Sequence, residues 1–286
     1  MTLRLLLTGA NGQLGREILE AGARPGSNLT IVPLTRSDLD ITDPEAVRHA
    51  LARQNPDILV NAAAHTDVDR AESEPGLAFA VNRDGAENLA AACSQANVPL
   101  IHVSTDYVFD GRGTRPYREE DPVSPLNAYG RSKAEGEDRI RARHPEHVIL
   151  RTSWLYATHG RNFLTTMLRL GRERETLSVV NDQSGSPTWA NDLARAILQI
   201  AATLPRTPSP WGTYHCCNAG ETTWYGFAES IFELAPQALG LRVQNVHPIP
   251  TEDYPTPADR PCYAVLNCTR IHETFGISLP PWRESL

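Results

Sequence analysis

Short apolar runs alternate with longer amphipathic stretches over the first half of the chain. The apolar runs predict β-strands, which we place at residues 3–8, 30–34, 57–61, 100–104 and 148–151. The stretches between them have helical periodicity and predict helices at residues 13–21, 44–53, 76–96 and 128–143. Near-continuous apolar strands that alternate with helices are typical of a parallel sheet covered on both faces. The pattern therefore predicts an α/β fold with a doubly wound parallel sheet.

The regular alternation ends after residue 152. Helical periodicity is found at residues 162–174 and 190–203, and residues 177–181 predict a further strand. Prolines concentrate at residues 205–210 and again at residues 248–261, where five of the residues are proline. Such a density of proline predicts irregular surface segments, suited to a wall or a lid over a binding site.

This change in pattern divides the chain into two parts. We predict a dinucleotide-binding domain over residues 1–152 and expect residues 190–218 to return to it. The rest of residues 153–286 is predicted to form mainly a smaller, interleaved substrate-binding part. A length of 286 residues is compatible with one large domain or with two.

Composition and charge exclude several classes of protein. The chain is 41% hydrophobic and 21% charged, which is ordinary for a globular protein with a sizeable core. Its net charge of -7, from 27 basic and 34 acidic residues, argues against a nucleic-acid interface. We find no run of ~18 apolar residues, and the first apolar run lacks a signal-peptide cleavage site. We therefore expect no membrane partner and a cytoplasmic location.

The cysteines and histidines are predicted to be structural. The five cysteines include no C-x-x-C pair and are expected to be buried thiols in a reducing cytoplasm: Cys93, Cys216, Cys217, Cys262 and Cys268. Three histidines that lie in or after apolar runs are expected to be structural rather than metal ligands: His65, His102 and His215. The charges of the helix at 128–143 are predicted to form a solvated face: Glu135, Glu137, Asp138, Arg139, Arg141 and Arg143.

Three glycines at regular spacing follow the first predicted strand. Gly9, Gly12 and Gly15 form a G-x-x-G-x-x-G pattern at the start of the first predicted helix. Glycines allow a tight turn and close approach of a pyrophosphate, and the helix N-terminus supplies N–H groups and the positive end of its dipole. Although the common fingerprint is G-x-G-x-x-G, the strand before and the helix after it predict a Rossmann-type dinucleotide site.

The end of the second predicted strand favours one form of the cofactor. An NAD site usually places a carboxylate there on the adenosine ribose, but the first carboxylates here are Asp38 and Asp40. Arg36 stands closer to the strand end and can pair with a 2′-phosphate. The sequence therefore favours NADPH, with NADH still possible.

The chain contains a single lysine, Lys133, among 27 basic residues. Tyr129 lies four residues earlier, so phenol and amine share one face of the predicted helix. Lowering a phenol pKa by ~3 units takes about 4 kcal/mol, which one charge ~4 Å away can supply at an effective dielectric of ~20. If Asn127 caps this helix, Tyr129 lies in its first turn, where the dipole favours phenolate. Thr105 follows the fourth predicted strand, at the edge where such sheets bind ligands.

Taken together, these motifs resemble the extended short-chain dehydrogenase/reductase family. The matching stretches cover essentially the whole chain and are TGANGQLG, NAAAHTDVDRAESEP, STDYVFDG, PLNAYGRSK, LRTSWLY, NDQSGSPT and YPTPADRP. The resemblance implies reduction of the C4 keto group of a dTDP-4-keto-6-deoxy sugar by NAD(P)H. In this assignment Tyr129 donates the proton, Lys133 holds the nicotinamide ribose and lowers the phenol pKa, and Thr105 binds the carbonyl oxygen.

The same resemblance implies further contacts. The implied cofactor-binding residues are Gly12, Gln13, Leu14, Asp40, Ile41, Ala64, His65 and Thr66. The implied substrate contacts are Asp106 and Trp154, besides Thr105. Some members of the family form metal-bridged dimers through glutamates, which Glu17 could match, but Asn191 stands where a second glutamate is expected. We therefore predict no bound metal, and a monomer or a weak homodimer.

Two other functions remain open, and a third is disfavoured. A nucleotide-sugar epimerase would use the same fold and the same cofactor. The regulatory β-subunit of methionine adenosyltransferase is similar to these reductases and binds NADP without this catalysis. Related dehydratases carry Thr-Asp-Glu where this chain has Thr105, Asp106 and Tyr107, so dehydration is disfavoured.

Overall fold

The computed structural model describes residues 2–23, 29–204 and 210–286. The strands are β1 Leu3–Thr8, β2 Leu29–Leu34, β3 Ile58–Asn61, β4 Leu100–Thr105, β5 His147–Thr152, β6 Leu155–Tyr156, β7 Thr176–Val180, β8 Ser184–Gly185, β9 Thr188–Trp189, β10 Gly212–His215, β11 Thr222–Thr223 and β12 Asn245–Ile249. The helices are α1 Gln13–Gly22, α2 Pro44–Gln54, α3 Val68–Ser73, α4 Pro75–Phe79, α5 Gly85–Ala96, α6 Ala128–Arg143, α7 Phe163–Glu173, α8 Ala190–Thr203, α9 Trp224–Leu234, α10 Thr269–Phe275 and α11 Trp282–Ser285. The loop predicted at 205–210 lies, except for Pro210, outside the described residues.

Six parallel strands form the central sheet in the order β10, β5, β4, β3, β1, β2. The chain builds outward from β1 in one direction with β2 and in the other with β3, β4 and β5. Open α/β sheets bind ligands at the carboxyl ends of the strands beside such a reversal. The predicted doubly wound parallel sheet is confirmed.

Helices cover both faces of this sheet because successive side chains of a strand point to opposite sides. On β1, Leu5 and Leu7 enter a core formed with α1, α8 and α10, whereas Leu6 enters a second core formed with α2 and α5. All three side chains are fully buried. Burial of each such side chain contributes about 1.5–3 kcal/mol to the stability of the fold. Packing on both faces therefore stabilises the strand that leads to the glycine turn.

The second part of the chain packs around aromatic rings and short strand pairs. Phe227 of α9 contacts Tyr156 of β6 and stacks on Phe163 of α7, with ring centroids 5.4 and 5.3 Å apart. The strand pairs here are β7 with β12, β8 with β11, and β6 with β9. Among the described residues, no helix is both long and apolar enough to span a bilayer.

Two elements differ from the sequence prediction. The helix predicted at 76–96 consists of α4, a π-helical turn at Ala80–Asp84, and α5. Residues 245–249 form β12, although Pro248 lies in the segment that we predicted to be irregular. The prediction missed this strand because a proline demotes a strand pattern, yet proline is tolerated where a strand lies at a sheet edge.

Glu137 shows that the predicted solvated face of α6 is wrong at this position. Its carboxylate is fully buried and accepts hydrogen bonds from Arg151 Nη2 at 2.7 Å and from Ser104 Oγ at 2.6 Å. Arg151 Nε and Arg141 Nη2 also donate to it, at 3.0 and 2.6 Å. Burial by itself would raise the pKa of Glu137, but the two arginines and Ser104 lower it to about 2. The ion pair therefore ties α6 to β4 and β5.

Replacing Glu137 by Gln should destabilise the fold strongly. The change leaves the buried Arg151 guanidinium without its counter-charge, and breaking such a pair typically costs roughly 3–5 kcal/mol. The free energy of unfolding from urea titration measures the effect. Glu135→Gln is the matched control, since its pair with Arg83 is half exposed and should matter by less than about 1 kcal/mol. Equal losses in the two variants would contradict this account of Glu137.

Candidate active site

A cavity of about 650 Å³ opens at the carboxyl ends of the central strands. Its walls come from the turn after β1, the ends of β3, β4 and β5, the start of α6, and parts of α7, α9 and the proline-rich segment near residue 260. The predicted site residues that line it are Gly12, Gln13, Leu14, Ala64, Thr66, Thr105, Asp106, Tyr129, Lys133 and Trp154. The fold therefore brings most of the predicted cofactor, catalytic and substrate residues to one place.

The glycine turn after β1 is tight enough to require glycine at two positions. Gly9 has a φ of +73°, and a Cβ there would lie 2.5 Å from the backbone nitrogen of Ala63. A Cβ at Gly15 would overlap the carbonyl oxygen of Gly9. Gly12 precedes α1 and offers no side-chain cap, so the first amides of this helix are free to bind an anion. The turn fits the diphosphate of a dinucleotide.

Six predicted cofactor residues do not line the cavity: Gly9 and Gly15, which shape the turn described above, and four that lie elsewhere. Arg36 is exposed after β2, and hydrogen bonds from Thr42 lower the pKa of nearby Asp40, with a smaller contribution from the charge of Arg36. Ile41 is buried and packs toward α5. His65 is held by its backbone, whose N–H donates to Asn82 Oδ1 at 2.8 Å. Arg36, Asp40 and Ile41 lie beyond the end of β2. In the sheet, β2 is on the opposite side of β1 from β3 and β4, whose ends form the cavity wall.

Tyr129 and Lys133 lie on α6, as predicted, and both side chains are buried. The predicted cap is confirmed, because Asn127 Oδ1 accepts a hydrogen bond from Gly130 N at 2.8 Å. The ring of Tyr129 packs edge-on against Tyr107 with centroids 5.5 Å apart. Asn127 thereby sets the first turn of the helix, and the turn sets the direction of the phenol.

The charge states of these two groups differ from the sequence argument. Burial raises the pKa of Tyr129 to about 12, although a hydrogen bond with Thr105 acts in the opposite direction. Burial also lowers the pKa of Lys133 to about 8, against the effect of the Glu137 carboxylate. Spacing alone predicted an acidified phenol because it ignored desolvation, which disfavours the charged form of both groups.

Asp106 is a buried carboxyl group beside Thr105. Its Oδ1 accepts a hydrogen bond from Thr105 Oγ1 at 2.9 Å, while its Oδ2 is buried without a partner among the described residues. Burial raises the pKa of Asp106 to about 7. A buried polar atom without a partner is costly, so Asp106 Oδ2 is suited to bind a polar group that enters the cavity.

An aromatic wall faces these polar groups. Trp154 stacks on Trp224 with centroids 3.5 Å apart, and Trp224 contacts Phe163 at 4.6 Å. Trp154 has a φ of +45°, a conformation that an L-residue rarely adopts. Gly185 leaves room for its indole, since a Cβ there would lie 2.5 Å from Trp154 Cε2. Strained residues of this kind cluster at ligand sites.

Sequence reasoning missed several residues of this wall. Trp224 and Phe163 begin helices that are far along the chain from Trp154, so no local spacing connects them. Arg260 also lines the cavity, and its Nη2 donates to Asp69 Oδ2 at 2.9 Å. Its position inside the conspicuous YPTPADRP stretch was the one available signal. Trp224 had none beyond its residue type.

The described residues contain no group of three or more His, Cys, Asp or Glu side chains that could hold a metal ion. Glu17 Oε2 accepts a hydrogen bond from Asn191 Nδ2 at 2.8 Å, and both side chains are buried. The amide therefore satisfies one carboxylate oxygen of Glu17. All five cysteines are free thiols, but the prediction that all are buried is wrong, because Cys262 is exposed and Cys268 is only partly buried.

The amino-acid sequence matches the profile of the RmlD substrate binding domain family over residues 3–286. The chain belongs to this family. A dTDP-4-dehydrorhamnose reductase of Sinorhizobium fredii is 45% identical to it, over 99% of this chain and 95% of the relative. Such relatives are named reductases. The prediction that this chain is an oxidoreductase is therefore confirmed.

Solved structures of the RmlD family have the same fold. A dTDP-4-dehydrorhamnose reductase from Clostridium acetobutylicum superposes with a TM-score of 0.91 at 42% identity, covering 99% of this chain and 96% of its own. The enzyme of that name from Bacillus anthracis, solved in complex with NADP, gives 0.91 at 39% identity, covering 99% and 97%. Its cofactor is of the class that the sequence predicts for this chain.

The glycine turn predicts a sharp loss of cofactor binding in Gly15→Ala. The new Cβ would meet the backbone of Gly9 and Ala10, which cannot move without opening the turn. We expect NADPH affinity, measured by fluorescence titration, to fall at least ~10-fold, with a lower melting temperature. Gly76→Ala is the matched control because a Cβ at Gly76 meets nothing within 4 Å and should leave both values near wild type. Unchanged NADPH affinity in folded Gly15→Ala would refute the assignment of the turn.

Proposed function

We propose that this member of the RmlD family reduces the C4 keto group of dTDP-4-dehydro-L-rhamnose to dTDP-L-rhamnose, with Tyr129 as proton donor. The observation that carries the proposal is the meeting of Thr105, Tyr129 and Lys133 in one cavity with the glycine turn. The names of the relatives and the NADP of one of them support the choice of substrate and cofactor. The overall reaction consumes one NADPH and one proton for each keto group reduced.

Bound NADPH supplies the hydride that reduces C4. With a pKa of about 12, the phenol of Tyr129 is protonated at neutral pH, the state that a proton donor needs. As negative charge develops on the carbonyl oxygen, Tyr129 Oη transfers its proton to that oxygen. Thr105 Oγ1 lies at the end of β4 and holds the same oxygen once its single hydroxyl hydrogen turns from Asp106 Oδ1 to the substrate. An ammonium at Lys133 stabilises the phenolate that remains.

The rest of the cavity divides between cofactor and sugar nucleotide. Residues 1–152, with 190–218, hold the cofactor, and the remainder of 153–286 forms the substrate side. On that side Asp106 binds a sugar hydroxyl through its unpartnered oxygen, and the Trp154 indole packs against the sugar ring. Arg260 adds the positive charge that a nucleotide diphosphate requires.

The residues that would hold the adenosine end of NADPH lie beyond the cavity, toward the end of β2. Asp40 and Ile41 follow β2 and would contact the adenine, whereas Gly9 and Gly15 shape the turn after β1 that would hold the diphosphate. Ala64, His65 and Thr66 follow β3, and Ala64 and Thr66 line the same cavity as Gln13 and Leu14 of α1. Arg36 is exposed at the end of β2 and pairs with the 2′-phosphate, which distinguishes NADPH from NADH.

A stoichiometric assay separates this function from its alternatives. A reductase consumes one NADPH for each dTDP-4-keto-6-deoxy sugar converted, whereas an epimerase of this fold regenerates its cofactor. A regulatory subunit would bind NADPH and a synthetase partner without oxidising the cofactor when the keto sugar is added. Either of the last two outcomes would refute the proposal.

Removing the phenol hydroxyl in Tyr129→Phe should lower kcat at least ~100-fold, the lower range for loss of general acid catalysis. The ring stays in place, so its contact with Tyr107 and the fold should be kept. Keto-sugar-dependent NADPH oxidation measures the change. Tyr225→Phe is the control, since this hydroxyl bonds only Glu229 among the described residues and Tyr225 does not line the cavity. Near-wild-type turnover in Tyr129→Phe would remove the phenol from the mechanism.

Replacing Arg36 by Ala should weaken NADPH binding much more than NADH binding, because only NADPH carries the 2′-phosphate. Dissociation constants for both cofactors, measured at the same ionic strength, give the comparison. Arg53→Ala removes an exposed arginine from the end of α2 and should change neither constant. Equal weakening of NADPH and NADH in Arg36→Ala would contradict the pairing.

A further inference from the structure

A row of buried polar side chains leads from the sheet interior to Lys133. Thr8, Asn61 and His102 occupy paired positions on β1, β3 and β4. Thr8 Oγ1 donates to Asn61 Oδ1 at 2.7 Å, Asn61 Nδ2 lies 2.9 Å from His102 Nδ1, and His102 Nε2 lies 3.2 Å from Lys133 Nζ. All four side chains are about 1% exposed. Contact with bulk water is therefore small for all four, and Lys133 is the one that borders the cavity.

The backbone determines how the Asn61 amide is turned. The N–H of Ala63 donates to Asn61 Oδ1 at 3.0 Å, and a backbone N–H can only donate. The oxygen of Asn61 is thereby assigned, and its NH₂ group must face His102 Nδ1. His102 Nδ1 consequently accepts a hydrogen bond, so the neutral imidazole carries its proton on Nε2.

This tautomer presents a donor, not an acceptor, to Lys133. An ammonium has three donor hydrogens and no lone pair, whereas a neutral amine has two donors and one acceptor. Lys133 Nζ also donates to the carbonyl oxygen of Val103 at 2.7 Å. An amine satisfies both neighbours, by accepting from His102 and donating to Val103, and keeps one N–H for the cavity. With an ammonium, the contact to His102 Nε2–H becomes repulsive.

We infer that His102 is a positioning residue for Lys133, held by Asn61 in the Nε2–H tautomer so that it favours the uncharged amine and sets the pH at which the lysine charge is lost. The consequence for catalysis rests on the proposed function, in which that charge stabilises the Tyr129 phenolate. The inference about the tautomer and the amine does not rest on it. It also gives a role to a histidine that the sequence predicted to be merely structural.

The charged and titratable groups around the row are consistent with this role. Burial and Lys133 hold the pKa of His102 well below its usual value, with a smaller effect of His147 on β5, so His102 stays neutral. Burial lowers the pKa of Lys133 to about 8, and Glu137, one turn along α6, raises it. Asp106 and Tyr129, which line the same cavity, have pKa values raised by burial to about 7 and about 12.

The wild-type protein tests the tautomer directly. ¹⁵N-histidine labelling and two-bond ¹H–¹⁵N correlation spectra distinguish Nδ1–H, Nε2–H and imidazolium, with His102→Gln used only to assign the signals. We expect His102 as Nε2–H throughout the neutral and alkaline range, in the protein without added cofactor. Because Lys133 is the single lysine, ¹³C,¹⁵N-lysine gives one side-chain signal, whose titration should have its midpoint near pH 8. An Nδ1–H tautomer or an imidazolium at His102 would overturn the inference.

Asn61→Asp tests the coupling between tautomer and lysine. A carboxylate at 61 accepts from Ala63 N and from His102 Nδ1–H, which moves the lone pair to Nε2 and offers Lys133 an acceptor. We expect the Nδ1–H tautomer and a rise in the Lys133 pKa of at least about one unit, a ~10-fold change in its protonation equilibrium. Asn97→Asp adds the same charge at an exposed site after α5 and should change neither. A folded Asn61→Asp protein with both signals unchanged would refute the inference.

The pH–rate profile then separates this inference from the proposed function. If Lys133 acts in catalysis, kcat/KM falls as pH rises through its pKa, since the charged form is lost, and Asn61→Asp moves this alkaline limb upward by the same amount. A shifted Lys133 titration with an unmoved alkaline limb would support the role of His102 and refute the proposed role of the lysine charge.

Discussion

The amine of Lys133 is buried between α6 and the end of β4, and the chemistry of the cavity depends on this burial. Away from bulk water, charge survives on an amine only if the surrounding polar groups stabilise it. The polar groups that contact Lys133 are a backbone carbonyl and a histidine of β4, an interior strand of the central sheet. The same burial keeps the neighbouring phenol of Tyr129 protonated, as a proton donor requires. Burial therefore determines both where Lys133 and Tyr129 lie and which protonation state each of them favours.

Burial of charge also explains how α6 is anchored. Glu137 lies one turn beyond Lys133 and pairs with Arg151 of β5, while Ser104 of β4 donates to the same carboxylate. A buried ion pair adds little net stability, yet its geometry is demanding because neither charge tolerates separation from the other. The helix that carries the phenol and the amine is thus held in one orientation relative to two strand ends. In that orientation two side chains four residues apart line the same cavity.

The parts of the site that could be predicted are those with local physical causes. The G-x-x-G-x-x-G turn, the Asn127 cap and the i, i+4 relation of Tyr129 to Lys133 each depend on a few consecutive residues. The parts that could not be predicted are contacts between distant segments. Trp224 reaches Trp154 across 70 positions of chain, and nothing near either residue signals the other. The predicted low pKa of the Tyr129 phenol is wrong for the same reason. The spacing of Tyr129 and Lys133 predicts the attraction between their charges, but it does not predict that burial removes water from both groups.

The sequence by itself determined the alternation of strands and helices, hence a parallel sheet with its loops at one edge, since hydrophobic periodicity is a local property of the chain. It also predicted which polar residues lie at that edge, and most of them line the cavity there. Only the tertiary structure decided which of them are buried, which way the Asn61 amide points, and therefore whether His102 offers Lys133 a donor or an acceptor. Those outcomes depend on contacts between side chains of β1, β3, β4 and α6. Hydrogen-bond direction and desolvation arise from those contacts and not from any one segment.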